Sequence, residues 1–129
     1  MKVEVVTPTG TAVSTEADEL IAPGVAGEFG VLAGHSPFIS AMKPGVLKYK
    51  TGGAVHQLAV GAGLVEVSGD ERVVVITDRT AKVEDIDVGA ARRELEEADT
   101  AARAGDRHAE QKRQWAQAQL DAASRRSGS

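Results

Sequence analysis

Between Ile21 and Leu47 the chain cannot stay in one regular element for long, because a glycine or proline interrupts every short apolar run: Pro23, Gly24, Gly27, Gly30, Gly34, Pro37, Pro44 and Gly45. Proline lacks the backbone donor that a ladder or helix interior needs, and glycine loses the most conformational freedom on ordering, so each ends or turns an extended piece. The stretch reads as four short strands joined by tight turns, with Gly27, Gly30 and Gly34 reversing the chain.

The same grammar holds from Lys2 to Ala81. Val3 and Val5 alternate with Lys2 and Glu4, and Val73 to Ile76 is a fully apolar, β-branched run. Further strands are expected at Thr11 to Ser14, Glu19 to Ala22, Gly30 to Leu32, Phe38 to Ala41, Gly45 to Tyr49, Ala54 to Val60 and Gly63 to Val67. Thr51-Gly52-Gly53 and Ser68-Gly69-Asp70-Glu71 read as hairpin loops whose glycines take the positive φ. Many short strands with close turns make a β-sandwich or flattened barrel, since each half-apolar sheet must cover its face with another. The small residues Ala59, Gly61, Ala62 and Gly63 mark a place where two backbones approach closely.

After Thr80 the grammar changes to Ala, Arg, Glu and Leu. Asp85 or Asp87 can cap a helix over Ala90 to Ala104, and Ala104-Gly105-Asp106 supplies a terminating glycine and a new cap for a second helix over Arg107 to Arg125. The short connection makes the two helices an antiparallel hairpin. The expected class is thus α+β: a β-sandwich of about ten short strands over residues 1–83, then a two-helix hairpin over 84–129, with Ser127 to Ser129 as a frayed tail. One stripe runs along each helix: Val88, Ala91, Leu95, Ala98 and Ala102 on the first, and Ala109, Ala116, Leu120 and Ala123 beside Trp115 on the second. Because so few of these residues are large, the hairpin is expected to close only loosely.

Composition removes several function classes. A formal net charge of −4 and a near absence of aromatics argue against nucleic-acid binding, which needs clustered cations and stacking platforms. With no cysteine there is no disulfide, thiolate site or cysteine nucleophile. The start MKVEVVTPTG has no long apolar run, so no secretory signal is expected, and any membrane association is expected only through a partner. His35 beside Ser36 lacks an orienting carboxylate and an oxyanion hole, and His35, His56 and His108 have no paired metal-ligand spacing. Gly61-Ala62-Gly63 runs into a strand where a dinucleotide fingerprint needs a helix, and no P-loop lysine follows any glycine. From composition alone, Glu28 is a solvated turn residue and His35 a loop residue capping the Ser36-Pro37 turn.

The wording GEFGVLAGHSPF followed by KPGVL, with VVTPTG before it and LAVGAGLVEVSGDERVVVITD after it, resembles the epsilon subunit of bacterial and chloroplast F-type ATP synthases. The resemblance covers essentially the whole β half, and the arm agrees in position and length. It implies a rotor subunit that is not an enzyme. Its sandwich would hold the gamma subunit and rest on the membrane c-ring, with Glu28 and His35 at the ring-facing end. It also implies an arm that folds down or extends along gamma. When extended, Arg107, Lys112, Arg113, Arg125 and Arg126 would meet the alpha and beta catalytic subunits and restrain ATP hydrolysis. The implied location is peripheral, on the cytoplasmic face of the bacterial inner membrane, in a proton-driven synthase.

One departure concerns nucleotide. Family members that bind ATP on the folded hairpin carry I/L-D-x-x-R-A, whereas this chain reads Ile86-Asp87-Val88-Gly89-Ala90-Ala91. Ala90 stands where a phosphate-pairing arginine is expected, which leaves Ile86, Asp87 and Arg92 as weak site candidates and no expected cofactor. Two other readings stand beside the rotor subunit. A β-sandwich adaptor with a partner-binding hairpin would fail to co-purify with gamma, and a small metal-dependent β-barrel enzyme would carry metal.

Overall fold

A computed structural model describes residues 1–128, with side chains described through Ser124. Ten strands come first: β1 (Lys2–Thr7), β2 (Gly10–Glu16), β3 (Glu19–Gly24), β4 (Gly27–Leu32), β5 (Phe38–Met42), β6 (Gly45–Thr51), β7 (Ala54–Val60), β8 (Gly63–Ser68), β9 (Arg72–Thr77) and β10 (Thr80–Lys82). A 3₁₀ turn (Val83–Asp85) leads to helices α1 (Val88–Arg103) and α2 (Ala109–Gly128).

The strands form two layers. One runs β10-β7-β6-β3 with β4 on the far side of β3, and the other runs β5-β8-β9-β1-β2. They meet where β3 touches β5 at a single register pair, Gly24 with Met42. Among the described residues only β1 and β9 pair in parallel, and the other pairings are antiparallel. Alternation fixes the core. Val3 and Val5, Leu20 and Ala22, Val65 and Val67, and Val73 and Val75 point between the layers, together with Val31, Met42, Leu47, Leu58 and Val60.

The glycines of the opening stretch divide. Gly27 (φ 131°) and Gly34 (φ 81°) do sit at turns in conformations that L side chains rarely adopt. Gly30 does not reverse the chain: it lies mid-strand opposite Ile21, and β4 begins three residues before the expected start, at Gly27. In the Ser68 to Glu71 loop the positive φ falls on Glu71 (61°), not on Gly69. The close approach expected around Gly61 to Gly63 is present, because a Cβ on Gly63 would overlap the Ile76 carbonyl and one on Gly61 would overlap the Asp78 carboxylate.

Asp87 caps α1, its Oδ1 accepting from the Ala90 N–H at 3.0 Å, and Gly105 (φ 92°) ends the connection's first turn. α2 continues past Arg125 to Gly128, and the expectation for Ser129 lies outside the described residues. The arm lies down on the sandwich. Val46 and Ala59, a register pair on the outer face of β6 and β7, are buried in a second cluster with Ile86, Trp115, Ala118, Ala122 and Ala123. On α1 Ala91 and Ala98 are buried, as are Ala109 and Ala116 on α2, while Ala102 stands exposed at the end of its expected stripe. Thus α2 is a middle layer between α1 and the sheet. Its buried residues spread over two faces, more than the single stripe expected from closure on α1 alone.

Candidate functional site

The β3–β4 turn and the β4–β5 loop bring Glu28 and His35, far apart in register, to one end of the sandwich. Both line a concavity of about 520 Å³ whose floor includes Phe29, Phe38 and the backbone of Gly24 and Gly27. The Phe29 and Phe38 rings meet edge to face at 5.5 Å, and the His35 ring leans on Phe38 at 4.9 Å. The His35 Nδ1–H donates to the Ser36 carbonyl at 2.7 Å, which is the local turn contact read from the sequence. A carbonyl can only accept, so Nδ1 carries the proton of this contact. Glu28 is an exposed β4 residue rather than a turn residue, and its carboxylate lies 3.9 Å from Lys48 Nζ. Around the rim, Val25 and Ile39 are exposed apolar side chains, Ile39 being 67% exposed. The end therefore presents a carboxylate, an imidazole and apolar surface together.

A second feature lies on the outer face of the β5-β8-β9-β1 layer. In register across it run Ala41, Leu64, Ile76 and Val6. Leu64 and Ile76 are 46% and 48% exposed, an apolar row that no element among the described residues covers, whereas the opposite outer face carries α2.

The arm's cations are dispersed. Arg107 and Lys112 are exposed, Lys112 beside Glu94 and Glu97 across the helix pair. Arg113 is held by Glu110 through two hydrogen bonds of 2.6 and 3.0 Å, which lower the Glu110 carboxyl's pKa and raise that of the guanidinium. The side chains of Arg125 and Arg126 lie outside the described residues. Of the nucleotide candidates, Ile86 is buried under α2, Asp87 is engaged as the α1 cap and Arg92 is exposed on α1. The three histidines sit in separate elements, His56 hydrogen-bonded to Thr51 and stacked on Tyr49. Among the described residues no three potential metal ligands come together, and no helix is long and apolar enough to cross a membrane.

Residues 1–83 match the family described as ATP synthase, Delta/Epsilon chain, beta-sandwich domain. The chain is 43% identical over 98 residues to the ATP synthase epsilon chain of Anaeromyxobacter sp. (strain K), covering 76% of this chain and 74% of that one. The chain belongs to the ATP synthase epsilon-chain family. Another epsilon chain, from Desulfosudis oleivorans, is 45% identical over 100 residues, covering 77% of this chain and 74% of its own. The epsilon-chain fold extends to distant structures. A chain of the Euglena gracilis mitochondrial ATP synthase, solved with OSCP, F1 and c-ring, shares it at a TM-score of 0.82 and 24% identity, over 94% of this chain and 79% of that one. A chain of the Tetrahymena thermophila mitochondrial central stalk and c-ring shares it at 0.58 and 14%, over 67% and 69%.

The sequence pointed to Glu28 and His35, and the structure brings them together. It gave no sign of the Arg79 guanidinium, which lies over the Trp115 ring at 4.4 Å. A lone arginine in a turn carries no pattern, and its partner lies in a helix beyond the strands.

Proposed function

We propose that this chain is the non-catalytic subunit of the central stalk that joins gamma to the c-ring of a proton-driven bacterial ATP synthase. It would sit peripherally on the cytoplasmic face of the inner membrane, bound to the membrane only through the complex. The observation that carries this reading is the uncovered row Ala41, Leu64, Ile76 and Val6 on one outer face of an epsilon-chain sandwich. Gamma is the occupant of that face, and burial of the row supplies the adhesion. The end bearing Glu28 and His35 rests on polar loops of the ring, where the Glu28 carboxylate calls for donors or cations opposite and the His35 ring adds a polar contact. The arm restrains ATP hydrolysis by leaving the sheet and presenting its cations to the alpha and beta subunits.

Co-purification with gamma tests the reading. Ile76→Glu places a charge in the row and is expected to weaken gamma binding by about tenfold or more, since an unpaired charge would be desolvated. Glu28→Ala combined with His35→Ala is expected to leave gamma binding intact and to lower proton-coupled ATP synthesis in reassembled complexes. Unchanged gamma binding by the Ile76 variant would move the interface elsewhere. Unchanged coupling by the double variant would remove the ring contact.

Nucleotide does not join this mechanism. Ala90 supplies only a backbone N–H, already donating to Asp87, where the phosphate-pairing arginine is expected, and the guanidinium that reaches the α1 start is that of Arg93, beside Gly89. Calorimetry with ATP is expected to show weak or absent binding, and a micromolar dissociation constant would overturn this.

A further inference from the structure

We propose that the turn formed by Asp78 and Arg79 is the latch that holds the helical arm on the sheet, gripping it through the Arg79 guanidinium stacked on Trp115; this rests on the reading that the arm leaves the sheet. The contact of α2 with the sandwich is built almost entirely from alanines. Ala118, Ala122 and Ala123 meet Val46 and Ala59, and Trp115 is the one large α2 side chain in that cluster. Trp115 is also the chain's only tryptophan. An alanine surface offers little area to each neighbour, so an indole carries a disproportionate part of the contact.

Arg79 reaches that indole from a turn that cannot drift. The Arg79 carbonyl accepts from the Gly61 N–H at 2.9 Å, and the Asp78 N–H donates to the Ala62 carbonyl at 3.3 Å. The buried Thr77 hydroxyl can donate to either the Ala62 carbonyl, at 3.1 Å, or the Arg79 carbonyl, at 3.3 Å. Gly61 lies so close beneath that a Cβ there would overlap the Asp78 carboxylate. The guanidinium is 4.4 Å from the ring centroid, and among the described residues no carboxylate lies within ion-pair distance of it. Its charge therefore serves the ring face, the geometry of a cation–π contact. Because the turn belongs to the sandwich and Trp115 to α2, opening the arm breaks this contact and leaves the turn in place.

Hydrogen–deuterium exchange on the full chain separates the latch from the motion it governs. In the parent chain, amides of Trp115 to Ala123 are expected to exchange faster than those of Val73 and Val75, as a unit that opens before the sandwich does. Arg79→Ala is expected to speed exchange across Trp115 to Ala123 about tenfold, with β9 unchanged. Arg79→Lys is expected to recover part of the protection, and Arg92→Ala, which alters an exposed α1 cation, none of the effect. If Arg79→Ala leaves α2 exchange unchanged while Trp115→Ala accelerates it, the arm opens but Arg79 is not its latch, and the proposal falls alone. If α2 and β9 exchange at one rate in every variant, the arm never leaves separately, and the underlying reading falls with it.

Discussion

A chain ending at Asp87, assembled with the other subunits in place of the full chain, is expected to keep its hold on gamma and to raise latent ATP hydrolysis severalfold. The first half follows from how the core is divided. The inter-layer cluster, from Val3 to Val75, contains no residue of α1 or α2, so removing the helices opens no hole between the sheets. What is lost is the α2 side of the second cluster, so Val46, Ala59 and the retained Ile86 would face water. Exposing Val46 and Ile86 costs about 4 kcal/mol, below the usual stability of a cooperative domain. The exposed row Ala41, Leu64, Ile76 and Val6 lies on the other layer and keeps its register. The second half follows from the arm's place on the sheet: if its extended form restrains hydrolysis, removing it leaves nothing to insert. Steady-state ATPase of the assembled complex measures this, and an unchanged rate would end the inhibitory role of the arm. Loss of gamma binding would show instead that the arm belongs to the grip.

The sandwich was legible because period two and β-branching act locally, and the errors fall where tertiary contacts override them. Pro23 marks a strand end by its missing N–H, yet β3 continues through it to Gly24. The Pro23 carbonyl accepts from Lys43 on the β5 side, so the absent donor falls on that same side, beyond Ile21, the last residue paired with β6. β10 escaped because three residues, Thr80 to Lys82, carry no periodicity and pair only at the edge of β7. The α1 start was read only in part: of the two caps the sequence offers, Asp85 and Asp87, Asp87 satisfies the orphan donor, and the helix begins at Val88, two residues before the expected Ala90. The burial of Ala118 and Ala122 could not be read, because an alanine costs nothing to expose and says nothing of what covers it. The end bearing Glu28 and His35 was legible in part. Its turn residues encode the loop that carries His35, but the placing of Glu28 beside it depends on β4 starting at Gly27.

Replacing Gly63 by alanine is expected to be among the most destabilising single-methyl changes available to this chain, costing about 3 kcal/mol or more. Gly63 opens β8, between Met42 of β5 and Thr77 of β9. A Cβ there would overlap the Ile76 carbonyl oxygen and come within 2.9 Å of the Ile76 carbonyl carbon and Thr77 Cα. All of these are backbone atoms, so no rotamer change can relieve the clash. β8 is paired on both sides and cannot retreat without breaking one ladder or the other. Gly30 supplies the control, since a Cβ on it meets nothing closer than 3.9 Å and its φ is not left-handed. Gly30→Ala is expected to change stability by no more than about 0.5 kcal/mol, in the stabilising direction, because alanine loses less freedom than glycine on entering a strand. Urea unfolding of the two variants beside the parent chain reads both numbers, and equal midpoints would show that the backbones around Gly63 can part. The clash also reaches the arm. Thr77 anchors the turn that carries Arg79, so displacing β9 at Thr77 pulls the guanidinium away from Trp115. Gly63→Ala should therefore raise α2 exchange even under conditions in which the sandwich remains folded.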